Sequence, residues 1–126
     1  MTAQPAEDAE PMLVVCLCAD WCGSCREYRP IFDALAARFA GEAQFAWIDI
    51  EDESDALGDP DIENFPTLLV ADDGALRFFG AVTPQAQTAE RLVRSALEGA
   101  LPPTAGADAA LAERVRALVR ARSAAA

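Results

Sequence analysis

The sequence contains no histidine and no lysine, so its ten basic residues are all arginine. Without histidine the chain lacks imidazole as a general base and as a metal ligand. Without lysine it lacks an amine for Schiff-base chemistry and the phosphate-binding lysine of a P-loop. These absences argue against serine-triad hydrolases and kinase-like enzymes.

Positive charge is scarce overall. The ten arginines stand against 21 acidic residues, which gives a net charge of -11 at pH 7. Such a charge repels phosphate backbones and anionic lipid surfaces. We therefore expect neither nucleic acid nor a membrane as a partner, and we expect a protein or a small thiol instead.

Long apolar runs are also missing. The run that follows the acidic segment 1–11 extends only from Met12 to Ala19, whereas a membrane-spanning helix needs roughly 20 apolar residues. Segment 1–11 contains acidic residues and no arginine, which does not fit a signal peptide. We expect it to be a loose leader of a cytoplasmic protein. In that reducing compartment, four closely spaced cysteines favour redox or metal chemistry over a permanent disulfide framework.

The residue patterns predict an α/β domain. Met12–Cys18 is a continuous apolar run, typical of a strand covered on both faces. Cys22–Ala40 has helical periodicity that continues past Pro30, where a kink is expected, and Gly41 should end the helix. Gln44–Ile50 predicts a second strand, and a strand-helix-strand order implies a parallel crossover.

The later elements complete a mixed four-stranded sheet with flanking helices. An antiparallel hairpin is expected on either side of the turn Asp72-Asp73-Gly74. The predicted segments are a short helix at Ser54–Leu57, strands at Thr67–Ala71 and Leu76–Gly80, a helix from Thr83-Pro84 to about Glu98, and an amphipathic helix at Asp108–Arg122. The expected organisation is a leader (1–11), a domain (12–99), a linker (100–107) and a C-terminal helix packed on the domain (108–123).

The chemistry is expected at Cys22-Gly23-Ser24-Cys25. Two thiols three positions apart at a helix start are close enough to pair, and the first faces unpaired backbone N–H groups and the helix dipole. Both favour its thiolate, so Cys22 is the predicted nucleophile. Cys25 lies one turn inward, where burial should keep its pKa higher, and it would resolve a mixed disulfide formed at Cys22. The alternative is a pair of inert buried thiols.

These residues resemble the thioredoxin family over roughly residues 12 to 98. The stretch from Ala19 to Cys25, followed by Pro30, is similar to the family's active-site strand, turn and kinked helix. Three further landmarks follow in the family's order: Ile48-Asp49-Ile50 for the next strand, Phe65-Pro66-Thr67 for the cis-proline loop, and Gly80-Ala81 for the glycine turn before the last helix.

The resemblance implies a thioredoxin-like three-layer sandwich and a monomeric protein-disulfide reductase without metal or organic cofactor. Its partners would be protein disulfides and a thioredoxin-reductase-type electron donor. Pro66 would be cis and beside Cys22, and the Phe65 backbone would pair with an extended substrate. The implied substrate-binding residues are Trp21, Gly23, Ser24, Phe65, Pro66, Gly80 and Ala81.

The sequence also departs from the family pattern. Cys16 occupies the position of a buried aspartate beneath the second cysteine, Trp47 that of its lysine partner, and Ser24 that of a proline. Loss of the carboxylate predicts slower resolution at Cys25. The rival interpretation is therefore a thioredoxin-fold binding or chaperone-like module with weak or no turnover.

Another departure concerns the sheet. About eleven residues precede the first predicted strand, too few for the first strand and helix of a full-length thioredoxin. We hypothesise that the helix at Asp108–Arg122 packs where that first helix would lie and covers its apolar face.

Cys16 and Cys18 share one face of the first strand by its two-residue period. Small buried hydrophobic residues are the favoured interpretation. A sharper alternative makes them auxiliary thiols, with Cys16 under Cys25 forming an alternative disulfide or relaying oxidation. All four thiols might instead bind zinc or an iron-sulfur cluster, although two of them point from a strand into the core.

Overall fold

The computed structural model describes residues 12–19, 23–57, 66–72, 76–83, 85–102 and 108–125. Their elements, in chain order, are β1 (Met12–Cys18), α1 (Gly23–Arg38), β2 (Ala43–Asp49), α2 (Ser54–Leu57), β3 (Thr67–Ala71), β4 (Leu76–Ala81), α3 (Ala86–Leu97) and α4 (Asp108–Ala125). The predicted leader and most of the predicted linker lie outside these residues.

The described strands form one four-stranded sheet in the order β2-β1-β3-β4. β1 pairs with β2 in parallel, while β1–β3 and β3–β4 are antiparallel. This arrangement confirms the predicted mixed sheet with one parallel pair and a hairpin. Because β3 runs against both neighbours, its start lies beside the carboxyl ends of β1 and β4.

The helix α1 forms where its sequence periodicity predicts it and ends two residues earlier than predicted. It continues through Pro30, as the unbroken periodicity predicts. Gly41 adopts a φ of 86°, which a glycine accepts without steric cost just after a helix. The observed helix ends at Arg38 rather than Ala40, and β2 begins and ends one residue earlier than predicted.

The two faces of β1 bury different helices, because successive strand residues point to opposite sides of the sheet. Val14, Cys16 and Cys18 belong to the cluster formed with α1 and α3. The alternate residues of β1 belong to a second cluster, formed with α2 and α4. The sheet is therefore covered on both sides, with β1 at its centre.

The helix α4 lies on the face opposite α1. Its residues Leu111, Val115 and Val119, spaced four apart on one side of the helix, are buried against that face. The Arg116 guanidinium donates a hydrogen bond of 3.1 Å to the backbone oxygen of Asp72. The burial of these three side chains and the hydrogen bond from Arg116 to Asp72 thus hold α4 against the sheet.

The other end of α4 is fixed at β2. The Arg122 guanidinium donates to the Trp47 backbone oxygen at 3.1 Å and pairs with the Glu53 carboxylate at 3.1 Å. Within the described ranges, no helix is long and apolar enough to cross a membrane.

Candidate functional site

The described part of the predicted active-site motif forms the first turn of α1. Gly23 and Ser24 are exposed, whereas Cys25 is only 2% exposed. The helix follows β1, the central strand, in the chain. Cys22 and Trp21 lie outside the described residues. The described part of the motif therefore opens a helix with Gly23 and Ser24 exposed and the Cys25 thiol buried in the core.

Strand register brings the other predicted landmarks to the same end of the sheet. Thr67 pairs with Leu17 near the end of β1 and with Ala81 at the end of β4. Pro66, which precedes β3, is buried, and its carbonyl oxygen accepts a 3.0 Å hydrogen bond from the Val82 N–H. The predicted Phe65 lies outside the described residues.

The glycine-alanine pair at the end of β4 offers a small exposed surface beside Pro66. Ala81 is exposed and Gly80 is half-buried. A Cβ atom at Gly80 would lie 3.4 Å from the Phe78 ring, about van der Waals contact. A groove of about 440 Å³ begins at this point and runs between β4 and α3. Its lining includes Phe78, Ala81, Val82, Leu92 and Leu101.

On the other side of the motif, Cys25 opens into a cleft of about 160 Å³. The cleft is lined by Cys18, Ala19, Cys25, Arg26, Arg29 and Trp47. It lies between the start of α1 and the end of β2. None of these lining residues carries a carboxylate.

An arginine-tryptophan contact forms one wall of the cleft. The Arg29 guanidinium carbon lies 4.7 Å from the centre of a Trp47 ring, within the range of a cation–π contact. The Arg29 Nε is also 3.3 Å from an Asp33 carboxylate oxygen. Sequence reasoning did not assign a role to Arg26 or Arg29, although Arg29 follows Cys25 by four helical positions, the spacing of neighbours on one helix face.

The thiols of Cys16 and Cys18 are packed together in the core. Their Sγ atoms are 3.3 Å apart and both side chains are buried. Both belong to the apolar cluster that contains Cys25 and Tyr28. It is Cys18, not Cys16, that reaches the cleft beside Cys25. The register of β1 decides this, since Cys18 lies closer to the strand's carboxyl end.

Tyr28 faces the same two thiols. Its hydroxyl is buried and forms no hydrogen bond with any part of the chain that the structure describes. Burial, followed by the neighbouring Cys16 and Cys18, raises the pKa of the Tyr28 phenol well above its usual value. The phenol is therefore held in its neutral form.

The three described cysteines are all in the thiol form. In the described residues, no three histidine, cysteine, aspartate or glutamate side chains converge closely enough to hold a metal ion. Cys16, Cys18 and Cys25 thus share a cluster without forming a ligand set. The four-thiol alternative additionally depends on Cys22, which lies outside these residues.

Thioredoxins are among the curated relatives that share sequence with this chain. A thioredoxin H-type protein of Oryza sativa subsp. indica is 33% identical over 70 residues, covering 56% of this chain and 57% of that protein. A thioredoxin of Staphylococcus aureus (strain Mu50 / ATCC 700699) is 32% identical over 56 residues, covering 44% of this chain and 54% of that protein. The aligned segments therefore span little more than half the length of these curated relatives.

The fold has a counterpart among solved structures. The germline-specific thioredoxin Deadhead of Drosophila melanogaster superposes with a TM-score of 0.61 at 19% identity, covering 72% of this chain and 85% of that chain. At this identity the likeness shows the fold, and it confirms the predicted thioredoxin-like class. The family model described as thioredoxin matches residues 4–96. Since that match takes in well over half of the sequence, the chain belongs to the thioredoxin family.

Proposed function

We propose that the chain is a thiol-disulfide oxidoreductase that reduces protein disulfides, with Cys22 as nucleophile and Cys25 as resolving thiol. The observation that carries the proposal is the placement of Cys25. It is buried in the first turn of α1, while Gly23 and Ser24, the two residues before it, are exposed. In a motif of this shape, the exposed residues can contact a partner protein, while the buried second thiol reacts only after a mixed disulfide has formed.

The reduction of the substrate consists of two thiol-disulfide exchanges. The Cys22 thiolate attacks one sulfur of a substrate disulfide, which releases the other substrate sulfur as a thiolate and leaves a mixed disulfide. The Cys25 thiolate then attacks the Cys22 sulfur, displacing the substrate as its second thiolate. The chain now holds a Cys22–Cys25 disulfide, and a dithiol donor of the thioredoxin-reductase type returns it to two thiols.

Substrate docking is proposed at the sheet end that carries Pro66 and Ala81. Support comes from the strand register, which pairs Thr67, the residue after Pro66, with Leu17 near the end of β1 and with Ala81. An extended substrate segment would pair with the Phe65 backbone, as the family resemblance implies. Trp21, Gly23, Ser24 and Gly80 complete the proposed contact surface. A cytoplasmic location and a monomeric state remain predictions from the sequence.

Reduction of insulin disulfides by dithiothreitol tests the proposal. The wild type should accelerate the reduction, and Cys22→Ser should abolish the acceleration. Cys25→Ser should accumulate a mixed disulfide visible by mass spectrometry, because the resolving thiol is gone. Ala117→Ser, an exposed change on α4, is the matched control and should leave the rate unchanged. A wild type without any acceleration would overturn the enzyme proposal.

A second candidate is a thioredoxin-fold binding module with little turnover. None of the described residues that line the cleft beside Cys25 carries a carboxylate, and the family's acid position holds Cys16, which is fully buried. If the wild type and Cys22→Ser bind the same substrate protein equally well and neither reduces it, this candidate is correct.

A further inference from the structure

The cleft beside Cys25 concentrates positive charge in a strongly acidic chain. Two of the ten arginines, Arg26 and Arg29, line a space of about 160 Å³ together with the resolving thiol. Among the described residues that line the cleft, none is acidic. The Cys25 thiol therefore shares the cleft with two arginine side chains and with Trp47, which stands at the family's lysine position.

Helix geometry places Arg29 next to Cys25. Residues four apart in a helix lie one above the other, with Cβ atoms about 5–6 Å apart. The contact with the Trp47 ring then fixes the guanidinium on the cleft side of the helix, at 4.7 Å from the ring centre. Trp47 thus occupies the family's lysine position and supports a cation supplied by the neighbouring helix.

We propose that Arg29, assisted by Arg26, stabilises the Cys25 thiolate and so replaces the missing buried acid in the resolving step. In this arrangement the proton of Cys25 passes to solvent through the cleft instead of to a carboxylate. Arg29 is a positioning residue, because it acts through the Cys25 sulfur. Its part in turnover rests on the proposed function, whereas its effect on the Cys25 thiol does not.

Two described carboxylates lie near this charge. Asp33 pairs with Arg29 at 3.3 Å, and their side chains are 61% and 52% exposed, so water screens both that ion pair and the action of Arg29 on Cys25. Asp49 shares the cleft's face by its register with Cys18. One of its carboxylate oxygens accepts backbone hydrogen bonds from residues 51 and 52 at 2.8 and 3.2 Å.

Other titratable side chains share the apolar cluster of Cys25. Cys16 and Cys18 come from β1, and Tyr28 comes from α1. Burial raises the pKa of the Tyr28 phenol. Among the described residues that line the cleft, Arg26 and Arg29 carry the fixed charges.

The pH dependence of Cys25 alkylation tests the proposal directly. In a Cys22→Ser background, iodoacetamide labelling of Cys25 is followed by mass mapping at several pH values. Arg29→Gln should move the midpoint upward by about one pH unit, the effect expected of a single partly screened charge. Arg29→Lys should keep most of the wild-type midpoint, because it keeps the charge.

Arg38→Gln is the matched control. Arg38 lies on the same helix, outside the cleft, and pairs with Glu90 at 3.0 Å. Its removal should not move the midpoint. Equal midpoints for Arg29→Gln and Arg38→Gln would overturn the proposal. An upward shift of the midpoint in Arg29→Lys as large as that in Arg29→Gln would also overturn it.

A second readout does not depend on reagent access to a buried thiol. Dithiobis(nitrobenzoate) reacts at Cys22 to form a mixed disulfide, and Cys25 then expels the second chromophore. Below the Cys25 pKa, Arg29→Gln should slow this expulsion about threefold, since fewer thiolates form but each is more nucleophilic. An unchanged expulsion rate across pH would contradict the proposal.

The outcomes for the two proposals are separable. If the alkylation midpoint shifts in Arg29→Gln while the wild type fails to reduce insulin, the electrostatic inference stands and the enzymatic proposal fails. If the wild type reduces insulin and Arg29→Gln leaves both pH profiles unchanged, the inference fails and the enzyme remains.

Discussion

The Sγ atoms of Cys16 and Cys18 lie 3.3 Å apart, both buried on the face of β1 that meets α1. This contact follows from the period of a strand, which sends residues two apart to the same side. It also limits what the pair can do, because a strand spaces such Cα atoms by about 6.4–6.8 Å. Disulfides usually join Cα atoms about 4.4–6.8 Å apart and most often about 5.5–6 Å, so this pair lies at the far end of the range.

We therefore predict that oxidation spares the β1 thiols. Mild oxidation followed by peptide mass mapping should find a Cys22–Cys25 disulfide, with Cys16 and Cys18 still as thiols, because bridging them would distort the central strand. A Cys16–Cys18 or Cys18–Cys25 bridge at comparable yield would show that the core thiols take part in the redox chemistry.

The proposed docking surface predicts a selective effect at Ala81. Ala81→Glu places a charged side chain beside Pro66, on the surface that a protein substrate would cover. We expect a several-fold lower kcat/KM for insulin and an unchanged rate with dithiobis(nitrobenzoate), which is too small to need that surface. Ala117→Glu, on the exposed side of α4, is the control. Equal losses with both substrates would point to a folding defect instead.

Because the chain contains a single tyrosine, phenolate absorbance reports the ionisation of Tyr28 alone. An unfolded tyrosine ionises near pH 10, whereas burial and the adjacent thiols raise the pKa of Tyr28 in the folded protein. Above about pH 10 the unfolded chain loses this proton and the folded chain keeps it, so the free energy of unfolding falls as pH rises. Phenolate absorbance should appear together with unfolding, not before it.

Tyr28→Phe provides the control for that titration. The variant should lose the tyrosine component of the alkaline destabilisation. At neutral pH its stability should be unchanged or about 1 kcal/mol higher, because it removes a buried hydroxyl that has no partner among the described residues. A stability loss above about 2 kcal/mol would mean that the hydroxyl is satisfied by a hydrogen bond.

The packing of α4 predicts the cost of a truncation in its buried stripe. Val115 is fully buried against the sheet, so Val115→Ala should lower the free energy of unfolding by about 1–3 kcal/mol in urea titrations. Glu113→Ala, on the exposed side of the same helix, should stay within about 0.5 kcal/mol. Similar values for both variants would argue that α4 does not contribute to the stability of the sheet.

The sequence by itself determined the elements and their order. The continuous apolar run of β1 required cover on both faces, and the helical periodicity past Pro30 was strong enough to carry α1 through a proline. Gly41 ended the helix region because only glycine adopts its positive φ without strain. These are local signals, each contained within a few neighbouring residues, and the structure agrees with them to within one to three residues.

Only the tertiary structure decided what surrounds Cys25. The cation at the cleft comes from Arg29, and it is held there by Trp47 of a different element. The sequence showed that Trp47 stands at the family's lysine position, but it could not show which other residue would supply a positive charge near Cys25. Side chains from a helix and a strand meet only after the chain has folded, so no local pattern encodes their contact, and the Cys25 thiol acquires its electrostatic environment from packing.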